Sequence, residues 1–447
     1  MLEVKVVQMK KLNFQKLFCF ISFIFILSCC LFYGTRFIGL YLKNKEKQSV
    51  EKNTLVKVIR ENNEDNNKFK NINNSEYFIN DSDNNYLLYS NIVWRIVKIN
   101  NDNSITVISD ESLTSLAYGE LLKYSESYIN LWLNSNNEEY SGILENHLNK
   151  KEDYLQKTIT CIDIVNTLDN RECQNTLNDN YISLLSTSDF VNIGNKDSYV
   201  INNEYFYLNN SNDEFEIWYV DNEGKATTSK GKDILGIRPV ITIKANIDYI
   251  DGNGTKNKPY TIENENGLFG SYVKLDNQLW RIYQVNDTEV RLMMNDYLKI
   301  GTENLKYIYS NISSYHDDYK EDSIAYYLNH NFLNKLNYKD KIKEVNWTNG
   351  YYGSKSNYDY RKALDTKINS KVALISIGDI RLNNELEDYF TLTGTKEKGS
   401  MIYTIKSNGK LLTKNIQNKS YVVPAISLDK DLLTKGNGTI DSPYEME

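Results

Sequence analysis

The sequence predicts an α+β fold in which an N-terminal transmembrane helix precedes two tandem, homologous modules. Three observations support this prediction: an uncharged run near the N-terminus, a motif order that occurs twice, and strand-like hairpins that flank a helical stretch in each occurrence. The segments we expect are a cytoplasmic segment over 1–16, a transmembrane signal-anchor over 17–42, a flexible stalk over 43–76, a first module over 77–265 and a second module over 266–447.

The anchor is predicted from "LFCFISFIFILSCCLFYGT", 19 residues without a charge. At 1.5 Å per residue this run covers about 28 Å of bilayer core. The "LFYGTR" at its end lacks the small residues of a cleavage site, so we favour an uncleaved anchor; the alternative, a lipoprotein box at "ILSC", fits less well because of Leu27. An anchor this close to the N-terminus indicates a single-pass protein of the cell membrane with its C-terminal ectodomain outside.

Charge narrows the class of partner. The chain has a net charge of −7, and residues 1–47 are basic, so the remainder is more acidic still. An acidic ectodomain repels phosphate backbones, which argues against nucleic-acid binding. The segment between the anchor and the first module is rich in Asn, Lys and Glu without a sustained apolar period, and we interpret it as a flexible stalk.

The duplication is read from matched peptides and matched spacings. "NIVWRIVKINNDNSITVISD" from Asn91 resembles "NQLWRIYQVNDTEVRLMMND" from Asn277. Trp94 precedes Pro239 by 145 residues, and Trp280 precedes Pro424 by 144. "SLLSTSDF" matches "ALISIGDI" in the same order, and each module closes on G-N-G-T followed by P-Y. A repeat of this length corresponds to a whole domain.

Each module repeats the same elements in order. "VWRIVKI" and "SITVIS" alternate around a polar turn, which predicts a first hairpin. Apolar residues three and four apart predict a helix at about 128–147 in the first module and about 323–336 in the second. A second hairpin follows, with Gly224 at its turn, and then a closing strand that carries Pro239 or Pro424. Because proline lacks an N–H, we expect these strands to be edge strands or to begin there.

The motif order resembles an uncharacterised domain family of bacterial surface proteins found in Firmicutes and Mollicutes. The shared elements are W-R-I, W/Y-L-N, L-L-S, a hairpin with a central Gly, (R)PV and G-x-G-T-x-x-x-P-Y. The closing half also resembles the C-type-lectin-like fold of formylglycine-generating enzymes. Arg238 and Pro239 match that pattern, whereas Val423 and Pro424 depart from it in the second module.

Motifs for catalysis or for metal binding are absent from the sequence. His147, His316 and His330 are not grouped with Cys or Asp at metal-ligand spacings. No nucleophile elbow and no phosphate loop occurs. We therefore expect no enzyme, no cofactor and no metal. "DGNGT" at 251–255 has the alternating oxygens of a calcium loop, but Lys435 replaces Asp251 in the second module, so we interpret the peptide as a closing turn.

Aromatic residues give the candidate binding site. Trp94 and Trp280 occupy matched places in the two modules, and we expect both in the core. Trp218 is matched by Tyr403, an exchange that a core and a sugar-stacking site would both accept. Together with Asp221 and Arg238, Trp218 forms the ligand-binding site that we predict on the second hairpin.

Two cysteines of the first module have two open interpretations. Cys161 and Cys173 have no counterpart in the second module. In an oxidising compartment they could form a disulfide worth about 3 kcal/mol; otherwise they are free, buried thiols. Cys19, Cys29 and Cys30 lie in the predicted anchor and are expected to be apolar packing residues.

The function we expect is non-catalytic recognition of a glycan or a surface protein by a protein anchored in the cytoplasmic membrane. The alternatives are a structural spacer of the cell envelope and, less favoured, an enzyme with a carboxylate site. Exposed aromatics beside a concave surface favour recognition, buried aromatics and featureless faces favour the spacer, and two facing carboxylates in a deep cleft favour the enzyme.

Overall fold

Strands dominate the fold, and its helices are few and short. A computed structural model describes residues 54–63, 68–79, 84–138, 140–264, 267–312, 322–353, 358–383, 385–396, 399–406 and 410–446. The predicted cytoplasmic segment and the anchor over 17–42 lie outside these residues. Within the residues described, no helix has the length and apolar character needed to cross a bilayer.

The first module and the segment before it form two large sheets and a two-stranded sheet of the strands Thr160–Cys161 and Thr176–Leu177. The helices are α1 (Leu55–Asn63), α2 (Tyr128–Leu133), α3 (Lys151–Tyr154) and α4 (Thr187–Asn192), with 3-10 turns at Tyr124–Glu126, Glu145–His147 and Asn195–Asp197. The strands are β1 (Phe69–Ile72), β2 (Ser75–Phe78), β3 (Tyr86–Tyr89), β4 (Ile92–Ile99), β5 (Ile105–Ser109), β6 (Thr114–Leu116), β7 (Leu155–Gln156), β8 (Thr160–Cys161), β9 (Thr176–Leu177), β10 (Ile182–Leu184), β11 (Phe206–Ser211), β12 (Ile217–Val220), β13 (Ala226–Ser229), β14 (Leu235–Ile237), β15 (Pro239–Ile243) and β16 (Tyr260–Thr261).

The second module has the same kind of content. Its α-helices are α5 (Ile324–Tyr326) and α6 (Tyr360–Ala363), with a π-helix at Tyr327–Phe332 and 3-10 turns at Leu333–Lys335 and Lys430–Leu432. Its strands are β17 (Tyr272–Leu275), β18 (Gln278–Val285), β19 (Glu289–Met294), β20 (Lys299–Ile300), β21 (Glu303–Asn304), β22 (Lys306–Tyr307), β23 (Val345–Tyr351), β24 (Thr366–Ser370), β25 (Val372–Ala373), β26 (Tyr389–Gly394), β27 (Met401–Ile405), β28 (Leu411–Asn415), β29 (Ser420–Tyr421), β30 (Ala425–Asp429), β31 (Leu433–Lys435) and β32 (Glu445–Met446).

The strands of the two modules pair in the same order. In the first module β3, β4, β5, β15 and β10 are successive neighbours in one sheet, and β13-β12-β11-β14-β6 form the other. In the second module the corresponding orders are β17-β18-β19-β30-β25 and β28-β27-β26-β29-β22. The first hairpin carries a bulge just after Ile96 in the first module and just after Ile282 in the second.

Matched residues of the two modules occupy matched positions in these sheets. Trp94 lies in β4 and Trp280 in β18, and both side chains are fully buried. Pro239 is the first residue of β15, and Pro424 immediately precedes β30. Neither strand is at an edge, because β15 lies between β5 and β10, and β30 between β19 and β25. A proline that begins a strand leaves the rest of that strand free to donate to both neighbours.

Two parts of the segment interpreted as a flexible stalk, residues 54–63 and 68–76, have regular secondary structure, which corrects that interpretation for these residues. Leu55, Val56 and Ile59 of α1 are buried in the core of the first module, and the Leu55 amide donates to the Ile247 carbonyl at 2.9 Å. The hairpin β1–β2 pairs with β4 through β2. Although its apolar stripe is short, α1 is stable because this stripe packs against the core of the first module.

The predicted helix at 128–147 is also shorter in the structure. It ends at Leu133 because the Asn134 side chain leaves the helix and exchanges hydrogen bonds with the backbone of Ile182 in β10, at 2.9 and 3.1 Å. Such a side chain offers the backbone an alternative to the helical ladder.

The two modules pack against each other. The Trp132 indole donates to the Gly378 carbonyl at 2.8 Å, and the Ala117 amide donates to the Tyr352 hydroxyl at 2.8 Å. One apolar cluster contains most of the first module's core together with Leu364 and Ile377 of the second. The modules are therefore packed together and are not separate domains joined only by a linker.

Candidate functional site

The second module contains a cleft of about 480 Å³ on one face of its first sheet. Glu289 and Arg291 reach it from β19, and Asp379 reaches it from the loop after β25. Tyr360 of α6 and Tyr140 of the first module form part of the wall. Charged groups of both signs thus meet aromatic rings in one concave surface, with more charged side chains than a typical small-ligand pocket has.

Arg291 is held in the cleft by three neighbours. Its Nη2 donates to the Asn346 carbonyl at 3.0 Å, its guanidinium carbon lies 4.9 Å from the centre of the Trp347 ring, and its Nε lies 3.6 Å from Glu289 Oε1. The distance to Glu289 is ionic rather than hydrogen-bonding. The guanidinium is therefore positioned by packing while part of its charge still faces the cleft.

Asp379 is a residue of the cleft whose carboxyl pKa is shifted from its ordinary value. One carboxylate oxygen accepts from the Ser376 amide at 2.8 Å. Burial raises the pKa of Asp379 to about 6, against the smaller opposing effects of the Ser376 amide and the Arg291 charge. The carboxyl can therefore exchange a proton near neutral pH.

The first module has a concave surface of about 530 Å³ at the corresponding place. Here Lys98 of β4 and Asp189 of α4 form an ion pair with Nζ and Oδ1 2.7 Å apart, and the Tyr77 hydroxyl donates to the same oxygen at 2.8 Å. Burial opposes the charge on both groups, but their mutual attraction raises the pKa of Lys98 and lowers the pKa of Asp189.

Comparison of the two surfaces explains the pKa of Asp379. Asp189 and Asp379 stand at the same place in the matched peptides "SLLSTSDF" and "ALISIGDI". Lys98 and Gln284 each follow the bulge in the first hairpin. The second module thus keeps the carboxylate but replaces its lysine partner by a neutral amide, so the effect of burial on the pKa is offset only in part, by the Ser376 amide and the Arg291 charge.

Arg238 does not lie in a binding site, which corrects the sequence-based assignment. Its side chain is 1% exposed, and its guanidinium donates to the carbonyls of Ser109, Val200 and Asp110. Burial lowers the pKa of this arginine. All of its donors serve the backbone around β5 and β15, so Arg238 is a structural residue.

Trp218 and Asp221 lie in and after β12 on the second hairpin, as expected, but they serve the hairpin itself. The half-buried Trp218 donates from its indole nitrogen to the Val165 carbonyl at 2.6 Å. Asp221 accepts from the amides of Glu223 and Lys225 at 3.0 and 2.8 Å and so closes the turn. Arg238 bonds to a different set of backbone groups, and no hydrogen bond joins it to Trp218 or Asp221 among the described residues.

Cys161 and Cys173 are joined by a disulfide with Cα atoms 5.6 Å apart. Asp163 lies beside them, so the three side chains form a group at metal-ligand distances. The Asp163 carboxylate, however, already accepts from the amides of Gln174 and Asn175 and from the Asn175 side chain. This arrangement fits a cross-linked loop at the border of the first module's concave surface.

The polar side chains of the closing turn make their contacts within the turn itself. Asp251 pairs with Lys258 at 3.0 Å, and the Asn253 side chain accepts from the amide and the hydroxyl of Thr255. Gly252 has φ of 101°, and a Cβ there would lie 1.9 Å from the Pro259 carbonyl oxygen. Gly436 stands in the same relation to Pro443 in the second module. These contacts support a closing turn in which only glycine fits.

The sequence did not single out Glu289, Arg291 or Asp379. The one available signal was the aspartate shared by the matched peptides, because a polar residue kept at one place in both modules marks a common surface. Comparisons with protein-family models, with curated proteins and with solved structures found no match to this chain.

Proposed function

We propose that this chain is a surface recognition protein of a bacterial cell, in which two homologous α+β modules bind a polar ligand without transforming it. The observation that carries this proposal is the concave surface that both modules have at corresponding positions of their first sheet. The shared strand order supports homology of the modules. The lectin-like fold stays a prediction from the motif order alone.

A carbohydrate is the ligand class that the second cleft fits best. Gln284, Asn346 and Asn369 line it with amides, and Glu289 and Arg291 add charged groups that can accept from and donate to sugar hydroxyls. The half-buried Tyr140 supplies aromatic surface for the apolar face of a sugar ring. This combination is less suited to an extended protein surface, which needs a larger apolar centre.

A glycan array probed with the full-length protein tests the proposal. We expect a restricted set of neutral glycans to bind, and Arg291→Met to weaken their binding about tenfold or more. The matched control is Lys274→Met, because Lys274 lies exposed in β17 of the same sheet, outside the cleft. Absence of any glycan binding by the folded protein would favour the spacer instead.

A hydrolase is the second candidate, and Asp379 is the observation that favours it. A carboxyl with a pKa of about 6 is suited to general acid–base catalysis, and Glu289 offers a second carboxylate in the same cleft. Incubation of an array-positive glycan with the protein, followed by mass spectrometry, separates the two candidates. If the wild-type protein releases a shorter glycan and Asp379→Asn does not, catalysis is established and the recognition proposal is overturned.

The cellular location is part of the proposal and rests on the uncharged run at 17–35 with its flanking lysines. The described part of the chain would then lie outside the cytoplasmic membrane. Protease added to intact cells should digest the region from Leu55 onward; protection until lysis would contradict this topology.

A further inference from the structure

A cavity of about 610 Å³ lies between the two modules and is separate from both clefts. Leu88, Asp110 and Glu111 line it from the first module, and Arg281, Arg381 and Asn383 line it from the second. We call it the intermodule cavity. The wall residues named from the two modules are about 170 to 300 positions apart in the chain, so the cavity exists only when the modules are packed together.

Arg381 is the unusual residue in this wall. Its side chain is 3% exposed, its backbone amide donates to the Leu113 carbonyl at 2.7 Å, and its Nη2 donates to Ser115 Oγ at 2.8 Å. Its Nε and Nη1 have no hydrogen-bond partner among the described residues. Burial lowers the pKa of Arg381, but an arginine stays charged at neutral pH.

Other buried arginines of the chain show how such a group is normally satisfied. Arg281, in the same wall, donates from Nε, Nη1 and Nη2 to the carbonyls of Gly270, Leu382 and Asn91. Arg238 likewise directs all three nitrogens at carbonyls. Arg381 has no such set of acceptors, and no carboxylate of the described residues lies within ion-pair distance of it. A buried cation left with open donors is costly unless something else accepts from it.

Asn383 adds an acceptor two residues away. Its Nδ2 donates to the Met294 carbonyl at 2.8 Å, which fixes the orientation of the amide. Its Oδ1 is buried and has no donor among the described residues. Two residues of the wall thus have buried polar atoms without a partner among the described residues, N–H groups on Arg381 and an oxygen on Asn383. This pattern favours a ligand with both an acceptor and a donor.

The charges around the cavity narrow the ligand further. Asp110, Glu111 and Glu385 line it together with Lys256, Arg281 and Arg381, so the wall carries both signs of charge. A wall of mixed charge favours a ligand that has both a negative and a positive group over a phosphate dianion. A carboxylate suits the guanidinium of Arg381, and an ammonium group suits Asn383 and the neighbouring carboxylates.

We propose that the intermodule cavity binds the free α-amino carboxylate of an amino acid or short peptide, with the carboxylate on Arg381. Leu88 and Leu386, both half-buried in the wall, leave room for an apolar side chain. The proposal does not depend on carbohydrate binding in the second cleft, because none of the cleft residues named above takes part.

The test is calorimetric titration of the full-length protein with alanine, leucine and dialanine, each compared with its amide and with phosphate. We expect the free carboxylates to bind and the amides and phosphate to bind at least about tenfold more weakly. Arg381→Met should weaken binding of the free carboxylates about tenfold or more. Arg171→Met is the control, because Arg171 is an exposed arginine of the first module away from this cavity.

Two outcomes would overturn the proposal: no binding of any free carboxylate by the wild-type protein, or equal binding by a folded Arg381→Met variant. If Arg381→Met fails to fold, Asn383→Leu takes its place, because this change removes the acceptor for the ammonium and leaves the guanidinium intact. Unchanged binding of amino acids by Asn383→Leu would then contradict the proposal. Equal binding of carboxylates and amides would show that water, rather than a carboxylate, satisfies Arg381.

Discussion

At the scale of single residues, the same side-chain type has opposite roles in different surroundings. Arg238 is fully buried and bonded to three carbonyls, whereas Arg291 has a comparable charge that lines an open cleft. Asp189 and Asp379 stand at matched positions, but only Asp189 has a lysine partner. The neighbours that each group meets after folding decide its role, and these neighbours are distant in sequence.

The pKa of Asp379 leads to a prediction about pH. Because the folded state raises this pKa from 3.8 to about 6, the folded protein holds the Asp379 proton more tightly than the unfolded chain does. The contribution of Asp379 to stability is therefore complete below about pH 3.8 and is lost as the pH rises through about 6. We expect Asp379→Asn to be more stable than wild type at pH 7 and to lose this advantage at pH 4.

Urea unfolding of both proteins across this pH range measures the effect. Glu344→Gln is the control, because Glu344 is an exposed carboxylate in the same cleft. A constant difference between Asp379→Asn and wild type over pH 4 to 7 would show that Asp379 titrates normally.

Arg238 leads to a prediction about stability. Arg238→Met fills a similar volume but leaves the carbonyls of Ser109, Val200 and Asp110 without their donors. We expect a loss of about 3 kcal/mol in the free energy of unfolding. Arg171→Met, at the surface, should change it by less than about 0.5 kcal/mol. Similar effects of both changes in urea unfolding would argue against the structural role of Arg238.

At the scale of elements, helix α1 leads to a prediction about whether this segment, which the sequence alone indicated to be flexible, is packed against the first module. Ile59 is fully buried in the first module, whereas Lys57 on the same helix is exposed. We expect Ile59→Ala to lower the free energy of unfolding by about 2 to 4 kcal/mol and Lys57→Ala to leave it nearly unchanged. If Ile59→Ala is neutral in urea unfolding, this helix is not docked and the flexible stalk extends through it.

The disulfide loop leads to a second prediction at this scale. Because its cysteines are twelve positions apart in the sequence, closing this loop should contribute about 3 kcal/mol. The Cys161→Ser/Cys173→Ser variant should therefore unfold at lower urea than the wild type under oxidising conditions, and the two should behave alike in reductant. A wild-type protein whose unfolding does not respond to reductant would indicate free thiols.

Elements with strong local patterns were predictable, and those held by distant contacts were not. The hairpin strands around Trp94 and Trp280 follow from alternation, because one buried face imposes a period of two. The apolar stripe of α1 is too short to predict a helix from the sequence, because the helix is held by its bond to Ile247 and by packing against the core. The second cleft combines β19 with the loop after β25, so no local pattern could show that Arg291 and Asp379 meet. Arg238 was grouped with the second hairpin, whereas its guanidinium bonds to carbonyls of Ser109, Asp110 and Val200 that lie far from it in the sequence.

At the scale of the whole molecule, the packing of the modules matters more than their repetition. Bonds such as Trp132 to Gly378 and Arg381 to Leu113 fix one module against the other. Tyr140 of the first module helps to form the cleft of the second, and the intermodule cavity has walls from both. A spacer needs neither feature, whereas a recognition protein benefits from sites that are rigid before the ligand arrives.

The most direct test of recognition is hydrogen–deuterium exchange of the full-length protein with and without an array-positive glycan, with the glycan recovered for mass spectrometry. We expect slower exchange at β19, β23 and the loop that carries Asp379, no change there in Arg291→Met, and recovery of the glycan intact. Protection confined to other parts of the chain, or recovery of a cleaved glycan, would contradict non-catalytic recognition at this cleft.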